Sequence, residues 1–313
     1  MNFLITGAAG FLGSALSNHL THQGHMVRGL DDLSAGDPNT LSSNVHFTRG
    51  DVNDRPRLWS ALQDVDCVYH LAARVSVSES ILYPREYNAV NVGGTVSLME
   101  AMRDVGVRRV VFISSGAVYG EQPDQPLVEN VRPFPQSPYA VSKLAAEAYV
   151  RTIGTLWGIE TVSLRVFNAY GPGQRMPGSH PPVIPGFLNQ AVRDGTMVVH
   201  GDGQQTRDYS YISDVLSGMV AAATAPDVNE RVINIGSGVE TSIRELVDMI
   251  RGLTGSKAEV VYNPRKDKGV SRMRADLMLA GELLGYRPRV SLEEGLKLTL
   301  EKDVRFGRKA EKV

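Results

Sequence analysis

Two short segments carry side chains whose types and spacing suit acid–base chemistry. Residues 114–120 read SSGAVYG after an apolar run, and residues 137–143 read SPYAVSK at the start of a helical pattern. Tyr139 and Lys143 are four residues apart, which places them on one face of a helix. A free tyrosine has a pKa of about 10, and a lysine cation ~5 Å away at an effective dielectric of ~20 contributes about 3 kcal/mol, or roughly two pKa units. We therefore predict that Tyr139 is a general base, that Lys143 lowers its pKa, and that Ser115 holds the reacting hydroxyl.

The start of this helix favours the same chemistry. Ser137 is a residue type that caps helices, and Pro138 suits the first helical turn. Tyr139 then lies close to the positive end of the helix dipole, which stabilises a phenolate. A tyrosine and a lysine at this spacing also occur by chance in amphipathic helices, so the assignment depends on the rest of the chain.

A glycine-rich turn near the N-terminus predicts a dinucleotide site. TGAAGFLG places Gly7, Gly10 and Gly13 between an apolar run and a helical pattern, where backbone amides at a helix N-terminus bind phosphates. Asp31 follows 18 residues after Gly13, where a carboxylate can accept hydrogen bonds from both ribose hydroxyls. With Asp32 beside it and no arginine at either position, a 2′-phosphate would face repulsion, so the pattern favours NAD over NADP. The alternative is that the two aspartates only begin the turn at 32–38.

The elements that must position these residues alternate along the first half of the chain. Short apolar runs predict strands at 2–6, 26–30, 45–48, 67–71, 109–114 and 161–166, and helical patterns lie at 11–23, 98–105 and 139–154. This alternation predicts an α/β fold, a Rossmann-type doubly wound parallel sheet with a smaller α/β C-terminal substrate-binding domain.

The second half of the chain changes character. The proline-rich stretch at 171–186 predicts a long ordered loop or lid, 232–236 a strand returning to the main sheet, and 243–253 a helix that begins with the capping box Ser242-x-x-Glu245. We assign an NAD-binding domain to 1–167 with return segments near 205–237. The substrate domain is assigned to 168–204 and 238–313.

Composition limits the classes of partner. The 313 residues include 33 basic and 34 acidic side chains, which gives no electrostatic case for nucleic acid or an anionic membrane. Cys67 is the sole cysteine, so an internal disulfide and a cysteine-rich metal site are excluded, and we expect no metal. The N-terminal residues do not resemble a signal peptide, and no apolar run approaches the ~18 residues of a membrane span. We expect a cytoplasmic protein.

These motifs together resemble the nucleotide-sugar epimerase/dehydratase family of extended short-chain dehydrogenases/reductases. The similarity is strongest to its UDP-glucose 4-epimerases and runs nearly end to end. It is carried by TGAAGFLG, Asp31, DV at 51–52, HLAA at 70–73, Asn91 with GGT, SSGAVYG, YAVSK, RVFNAYGPGQ at 165–174, GDGQQTRDYSYISDV at 201–215 and LGYRPRVSLEEGL at 284–296.

The resemblance implies a role for each matching residue. The catalytic set would be Ser115, Tyr139 and Lys143. NAD would contact Gly7, Gly10, Phe11, Leu12, Gly13, Asp31, Asp32, Asp51, Val52, Leu71, Ala72, Ala73, Asn91, Ser114, Tyr139 and Lys143. The sugar nucleotide would contact Ser115, Asn168, Arg175, Val183, Arg207, Arg272 and Met273. Arg207 makes physical sense because a guanidinium can grip a diphosphate with two hydrogen bonds; the alternative is an ion pair with Asp208.

The family mechanism would be 4-epimerisation of a UDP-hexose. NAD would remove hydride from C4 as Tyr139 takes the O4 proton, the 4-keto sugar would turn over, and hydride would return to its other face. The lid at 171–186 would shield this intermediate from water. Sugar-nucleotide dehydratases usually carry Thr-Asp-Glu where this chain has Ser115-Gly116-Ala117, which favours epimerisation.

Several alternatives stay open. Three arginines around the predicted sugar pocket, Arg175, Arg272 and Arg274, raise UDP-glucuronate as a substrate. Arg265 would supply the family's usual C-terminal arginine, although Gly269 stands where an aspartate often contacts the ribose. A nucleotide-sugar reductase and a non-catalytic NAD-binding regulator are the remaining candidates.

The resemblance also implies a homodimer that pairs through the helices at 88–104 and 138–156. Val96, Met99 and Met102 are the candidate packing residues, and the alternative is that they face the sheet.

Overall fold

The computed structural model describes residues 1–178, 180–264 and 269–306. Its strands are β1 Asn2–Thr6, β2 Met26–Asp31, β3 His46–Arg49, β4 Cys67–His70, β5 Arg109–Ser115, β6 Glu160–Val166, β7 Ala169–Tyr170, β8 Thr196–His200, β9 Thr206–Arg207, β10 Ser210–Tyr211, β11 Arg231–Ile235, β12 Thr241–Ser242 and β13 Glu259–Asn263. Its α-helices are α1 Phe11–His22, α2 Arg55–Ala61, α3 Val77–Leu82, α4 Pro84–Tyr87, α5 Gly94–Val105, α6 Pro138–Trp157, α7 Val183–Val192, α8 Ile212–Thr224, α9 Ile243–Thr254, α10 Met278–Leu284 and α11 Leu292–Lys302.

The main sheet of the described residues has seven parallel strands in the order β11-β6-β5-β4-β1-β2-β3. Central strands such as β5 are buried on both faces, which explains their continuous apolar runs. The strand order reverses between β1 and β4, and the carboxyl ends of strands at such a reversal form the ligand crevice of doubly wound sheets. The predicted doubly wound fold is confirmed.

Two apolar clusters cover the two faces of this sheet. One cluster joins the sheet to α1, α8 and α10, and the other joins it to α2, α5 and α6. A third cluster lies among α7, α9, α11, β8 and β13 and forms a smaller core of its own. The exact division into two domains stays a prediction, and its C-terminal boundary at 313, like Arg265, lies outside the described residues.

Most predicted elements agree with the structure to within a few residues at each end. The strand predicted at 232–236 is β11, which pairs in parallel with β6, and the Ser242–Glu245 capping box at the start of α9 is present. The helix predicted at 98–105 begins earlier, at Gly94, after a π-helical turn at Asn88–Gly93.

The loop predicted at 171–186 is wrong over its last four residues. Helix α7 begins at Val183 because Pro182 precedes it and Pro185 falls within its first turn, where a backbone N–H has no intrahelical acceptor.

The structure also bears on the predicted interface residues and on the membrane span. Met99 and Met102 are fully buried under the sheet, so they do not form a subunit interface, and Val96 packs partly against the same core. Within the described residues, no helix is both long and apolar enough to cross a membrane.

Candidate active site

The N-terminus of α6 places Tyr139 at the carboxyl edge of the sheet. The Ser137 hydroxyl accepts a hydrogen bond from the Ala140 N–H at 3.1 Å, and Pro138 occupies the first helical position, as predicted. Ser115 ends β5 and shares a hydrogen bond with the Tyr139 side chain. The two segments that the sequence singled out therefore meet, although they are separated by the loop between β5 and α6.

The predicted fall in the pKa of Tyr139 is wrong for this structure. Burial raises the pKa of its phenol, and the hydrogen bond with Ser115 opposes that rise only in part. Burial also lowers the pKa of Lys143 to about 7, against an upward contribution from Glu147. Lys143 is therefore not a permanent cation, because burial makes its charge depend on pH and on the neighbouring groups.

The glycine turn between β1 and α1 is shaped by close backbone contacts. Gly7 has a φ of 71°, and a Cβ there would lie 2.7 Å from the Ala72 nitrogen. A Cβ at Gly13 would lie 2.0 Å from the Gly7 carbonyl oxygen, so only glycine lets α1 start this close to the turn. Gly10 is the N-cap of α1 and has no side chain, which leaves the first amides of α1 open toward the crevice. Phe11 and Leu12 form the first turn of this helix. Such amides, with the helix dipole, suit a pyrophosphate.

Asp31 ends β2 beside the glycine turn. One of its carboxylate oxygens accepts from the Ala9 N–H at 3.0 Å and the other from the Leu33 N–H at 2.8 Å. Burial raises the pKa of Asp31 despite these hydrogen bonds. The carboxylate thus fastens the turn that follows it, and each oxygen retains a second lone pair for a ribose hydroxyl. Asp32 is exposed and accepts from the backbone and hydroxyl of Ser34.

The remaining predicted cofactor residues lie at the ends of neighbouring strands. Leu71, Ala72 and Ala73 follow β4, and Val52, which follows β3 with Asp51, is buried where Gly94 lets α5 approach it.

Asn91 and Ser114 lie near the site, but their side chains bond to protein groups. The Asn91 amide bonds to both backbone groups of Arg74 and donates to Ser142, and the Ser114 hydroxyl donates to Glu147 at 2.7 Å. These two residues hold the loop after β4 and helix α6 in place.

Arg207, the predicted diphosphate ligand, lies near Glu121 but without direct ion-pair contact in the described part of the chain. Its guanidinium donates to the Thr206 carbonyl at 2.6 Å, forms no ion pair with any Asp or Glu of the described residues, and has its pKa lowered by burial. The alternative pairing with Asp208 is wrong, because that buried carboxylate accepts instead from the Ser237 backbone and hydroxyl and from two further backbone amides. Asn168, exposed, donates to the Asp208 carbonyl and so joins the same region.

The other predicted sugar residues are dispersed. Met273 is buried in a small cluster that includes Tyr119 and Phe167, and Val183 begins α7.

The three arginines behind the uronate alternative have different surroundings. Arg272 forms an ion pair with Glu240 at 2.7 Å, and this pair holds the pKa of the carboxyl at about 2. Arg175 is exposed and donates to the Ser34 carbonyl at 3.3 Å, beside the loop that follows β2. Among these three arginines, Arg274 alone has an Nε atom that is buried without a hydrogen-bond partner in the described residues. Two of the three arginines thus have protein partners of their own.

A buried ion pair behind the candidate catalytic residues was not predicted from the sequence. Glu147 on α6 and Arg165 on β6 are 2.6 Å apart, with side chains 7% and 4% exposed. An arginine inside the apolar run of a central strand was the available signal, because a buried charge requires a partner. Glu147, one helical turn after Lys143, was the corresponding signal for the acidic partner.

A glycine turn, a carboxylate at the end of the second strand and a tyrosine–lysine–serine group with a buried lysine define an NAD-dependent short-chain dehydrogenase type of site. A model of the NAD dependent epimerase/dehydratase family matches residues 3–236, and the chain belongs to that family.

Individual relatives are similar over almost the whole chain. The UDP-glucose 4-epimerase of Mycolicibacterium smegmatis is 39% identical over 96% of this chain and 98% of its own. The crystal structure of a Thermotoga maritima UDP-glucose 4-epimerase with UDP-glucose has a TM-score of 0.92 at 35% identity and covers 96% of this chain and 98% of that one. A Bacillus cereus UDP-glucuronic acid 4-epimerase in complex with UDP-glucuronic acid and NAD has a TM-score of 0.89 at 34% identity, with the same coverages.

Proposed function

We propose that this protein is an NAD-dependent 4-epimerase of a UDP-hexose, with UDP-glucose and UDP-galactose as its substrate pair. The observation that carries the proposal is the meeting of Ser115, Tyr139 and Lys143 beside the glycine turn at the strand-order reversal. Relatives named as UDP-glucose 4-epimerases support the same activity.

In this mechanism the chain's own residues move and hold protons. When bound, NAD supplies the acceptor and donor of hydride at C4. Tyr139 removes the O4 proton as phenolate and returns it as phenol, and Ser115 holds the same oxygen by a hydrogen bond. Because burial favours the neutral phenol, Tyr139 keeps its proton in the free protein, and it can act as a base only when a positive charge nearby stabilises its phenolate.

Arg207 supports an anionic substrate. A half-buried guanidinium that forms no ion pair with a carboxylate of the described residues is unfavourable in the free protein, and a diphosphate satisfies it with charge-assisted hydrogen bonds. We propose that the diphosphate of the sugar nucleotide lies against Arg207, with Asn168, which donates to the neighbouring Asp208 carbonyl, beside it.

The test is direct conversion by the purified protein. The protein is incubated, with no added cofactor, with UDP-glucose, UDP-N-acetylglucosamine or UDP-glucuronate, and the anomeric region is followed by proton NMR. A galacto-configured signal from UDP-glucose establishes the proposed reaction with retained NAD. If none of the three sugar nucleotides gives a new anomeric signal, with or without added NAD, the proposed reaction is contradicted.

UDP-glucuronate is the second candidate, since a structural relative binds it and the Nε atom of Arg274 is buried without a partner. The substitution Arg274→Gln separates the two candidates. It should leave turnover of UDP-glucose within about threefold and lower turnover of UDP-glucuronate at least ~10-fold if the arginine pairs with the carboxylate.

We also propose that the chain forms a homodimer over the outer face of α6 and the adjacent α3. Val141 and Tyr149 on α6 are 53% and 47% exposed, and Ile81 and Leu82 on α3 are 65% and 67% exposed. Apolar side chains grouped in this way favour a subunit contact. Light scattering should give twice the 34.1 kDa chain mass, and Val141→Glu should give the monomer.

A further inference from the structure

The ammonium group of Lys143 lies in an unusual place for a cation. Its side chain is 4% exposed, and its Nζ atom lies 4.5 Å from the centre of the Phe112 ring. No Asp or Glu of the described residues forms an ion pair with it. An aromatic face offsets only part of the cost of burying a cation, so the charge state of Lys143 depends on groups farther away.

Glu147 is the nearest acidic residue along α6. It lies one turn after Lys143, on the same face of the helix, and is 6% exposed. Three hydrogen bonds fix its carboxylate: Ser114 donates at 2.7 Å, and Arg165 donates from Nε at 3.1 Å and from Nη2 at 2.6 Å. The Arg165 guanidinium is in turn stacked 4.7 Å from the centre of the Tyr119 ring. The carboxylate therefore cannot turn away from this position.

The other groups around Lys143 do not supply a negative charge. His70 on β4 has its pKa lowered to about 3 by burial and by Lys143, so it is neutral above that pH. Tyr139, on the same helix, has its pKa raised and is a neutral phenol. Arg165 on β6 is a second cation. Among the described residues, Glu147 is therefore the carboxylate buried between the two cationic side chains, and the half-buried Glu129 lies near Arg165.

We propose that Glu147 is a positioning residue that keeps the Lys143 side chain protonated, and that Arg165 limits how strongly it does so. Arg165 binds the carboxylate through two hydrogen bonds and neutralises part of its charge. Lys143 therefore remains close to the point where it gains or loses its proton at neutral pH, which agrees with its pKa of about 7.

This inference extends the proposed function, because a protonated Lys143 is what would stabilise the phenolate of Tyr139. Loss of the lysine charge would leave the phenol without help at the step where it removes a proton. The Glu147 carboxylate is buried and bonded to Ser114 and Arg165, so we expect it to influence the reacting atoms through the charge of Lys143.

The charge of Lys143 can be measured without any assay of turnover. The chain has eight lysines, and Lys143 is the sole lysine among residues 1–256, so protein labelled with ¹³C at lysine Cε gives a simple spectrum. A spectrum of Lys143→Arg assigns the signal, and a pH titration of the NAD-loaded protein gives its pKa. We expect Glu147→Gln to lower this pKa by at least about one unit, and Arg165→Gln to raise it by a similar amount.

Opposite shifts are the diagnostic result, because general damage to the core would move both variants in the same direction. Glu100→Gln is the matched control, since it removes the carboxylate of the exposed pair with Arg55 and should leave the titration unchanged. Among active variants, the alkaline limb of kcat should move to lower pH in Glu147→Gln, because Lys143 then loses its proton earlier, while the KM for the sugar nucleotide stays within about twofold.

Unchanged titration in Glu147→Gln, or shifts of the same sign in both variants, would overturn the proposal. If Glu147→Gln does not fold, Glu147→Asp replaces it. This variant keeps the negative charge but withdraws the carboxylate from Arg165, and a change of less than ~0.3 unit in the pKa of Lys143 would also contradict the proposal. The lysine titration is read even if no UDP-sugar is converted, so failure of the proposed function and failure of this inference are distinguishable.

Discussion

The contact between Gly13 and Gly7 allows a quantitative prediction. A Cβ at Gly13 would lie 2.0 Å from the Gly7 carbonyl oxygen and 2.8 Å from its carbonyl carbon, whereas ordinary contacts begin at 3.4 Å. The turn cannot retreat easily, because the Gly7 N–H is bonded to the Leu30 carbonyl at 2.8 Å. Gly13→Ala must therefore separate α1 from β1 by about 1.4 Å, and overpacking of this kind reduces the free energy of unfolding by ~1–3 kcal/mol, here at the upper end.

The matched control is Gly252→Ala in α9. Nothing lies within 4 Å of a Cβ at that position, and alanine has the higher helix propensity, so the free energy of unfolding should increase by about 0.5–1 kcal/mol. Urea unfolding of the cofactor-free proteins, followed by circular dichroism, measures both changes. NAD retained after gel filtration should fall for Gly13→Ala only. A Gly13→Ala protein with wild-type stability and full NAD content would refute the steric argument.

Three further predictions concern single side chains. Tyr139→Phe should lower turnover at least ~100-fold while NAD stays bound, and near-normal kcat would exclude it as the acid–base group. Asp31→Ala should release NAD and loosen the turn held by its two backbone hydrogen bonds; unchanged cofactor content by absorbance would contradict the ribose assignment. Arg272 depresses the pKa of Glu240 to about 2, so the pair's contribution is present above the unfolded value of 4.5 and is lost as pH falls toward 2. Because Arg272 is exposed, Arg272→Ala should lower the free energy of unfolding only slightly at pH 6 and not at all at pH 2; a difference that persists at pH 2 would show another cause.

Local patterns in the sequence were sufficient to predict the sheet, the helix caps and the positions of the candidate catalytic residues. Strand β5 is apolar at consecutive positions because both faces of the sheet are covered. Ser137 caps α6 because its hydroxyl accepts a hydrogen bond from the Ala140 N–H, three residues further along the chain. Such short-range interactions can be predicted from the sequence, because the residues that set the apolar period, cap a helix or form a turn are close together in the chain. The motifs TGAAGFLG and YAVSK could therefore be placed on the correct edge of the sheet from the sequence alone.

The electrostatic state of the site was decided only by the tertiary structure. The pKa values of Tyr139 and Lys143 depend on how much water is removed from each group, and that depends on packing against β4 and β5, not on the four-residue spacing. The same holds for the pairing of Arg165 with Glu147 across 18 residues and for the absence of an ion-pair partner for Arg207 among the described residues. Residue order specifies which charges the chain carries. Folding determines which of them are desolvated and which meet, because both effects depend on distances between segments far apart in sequence.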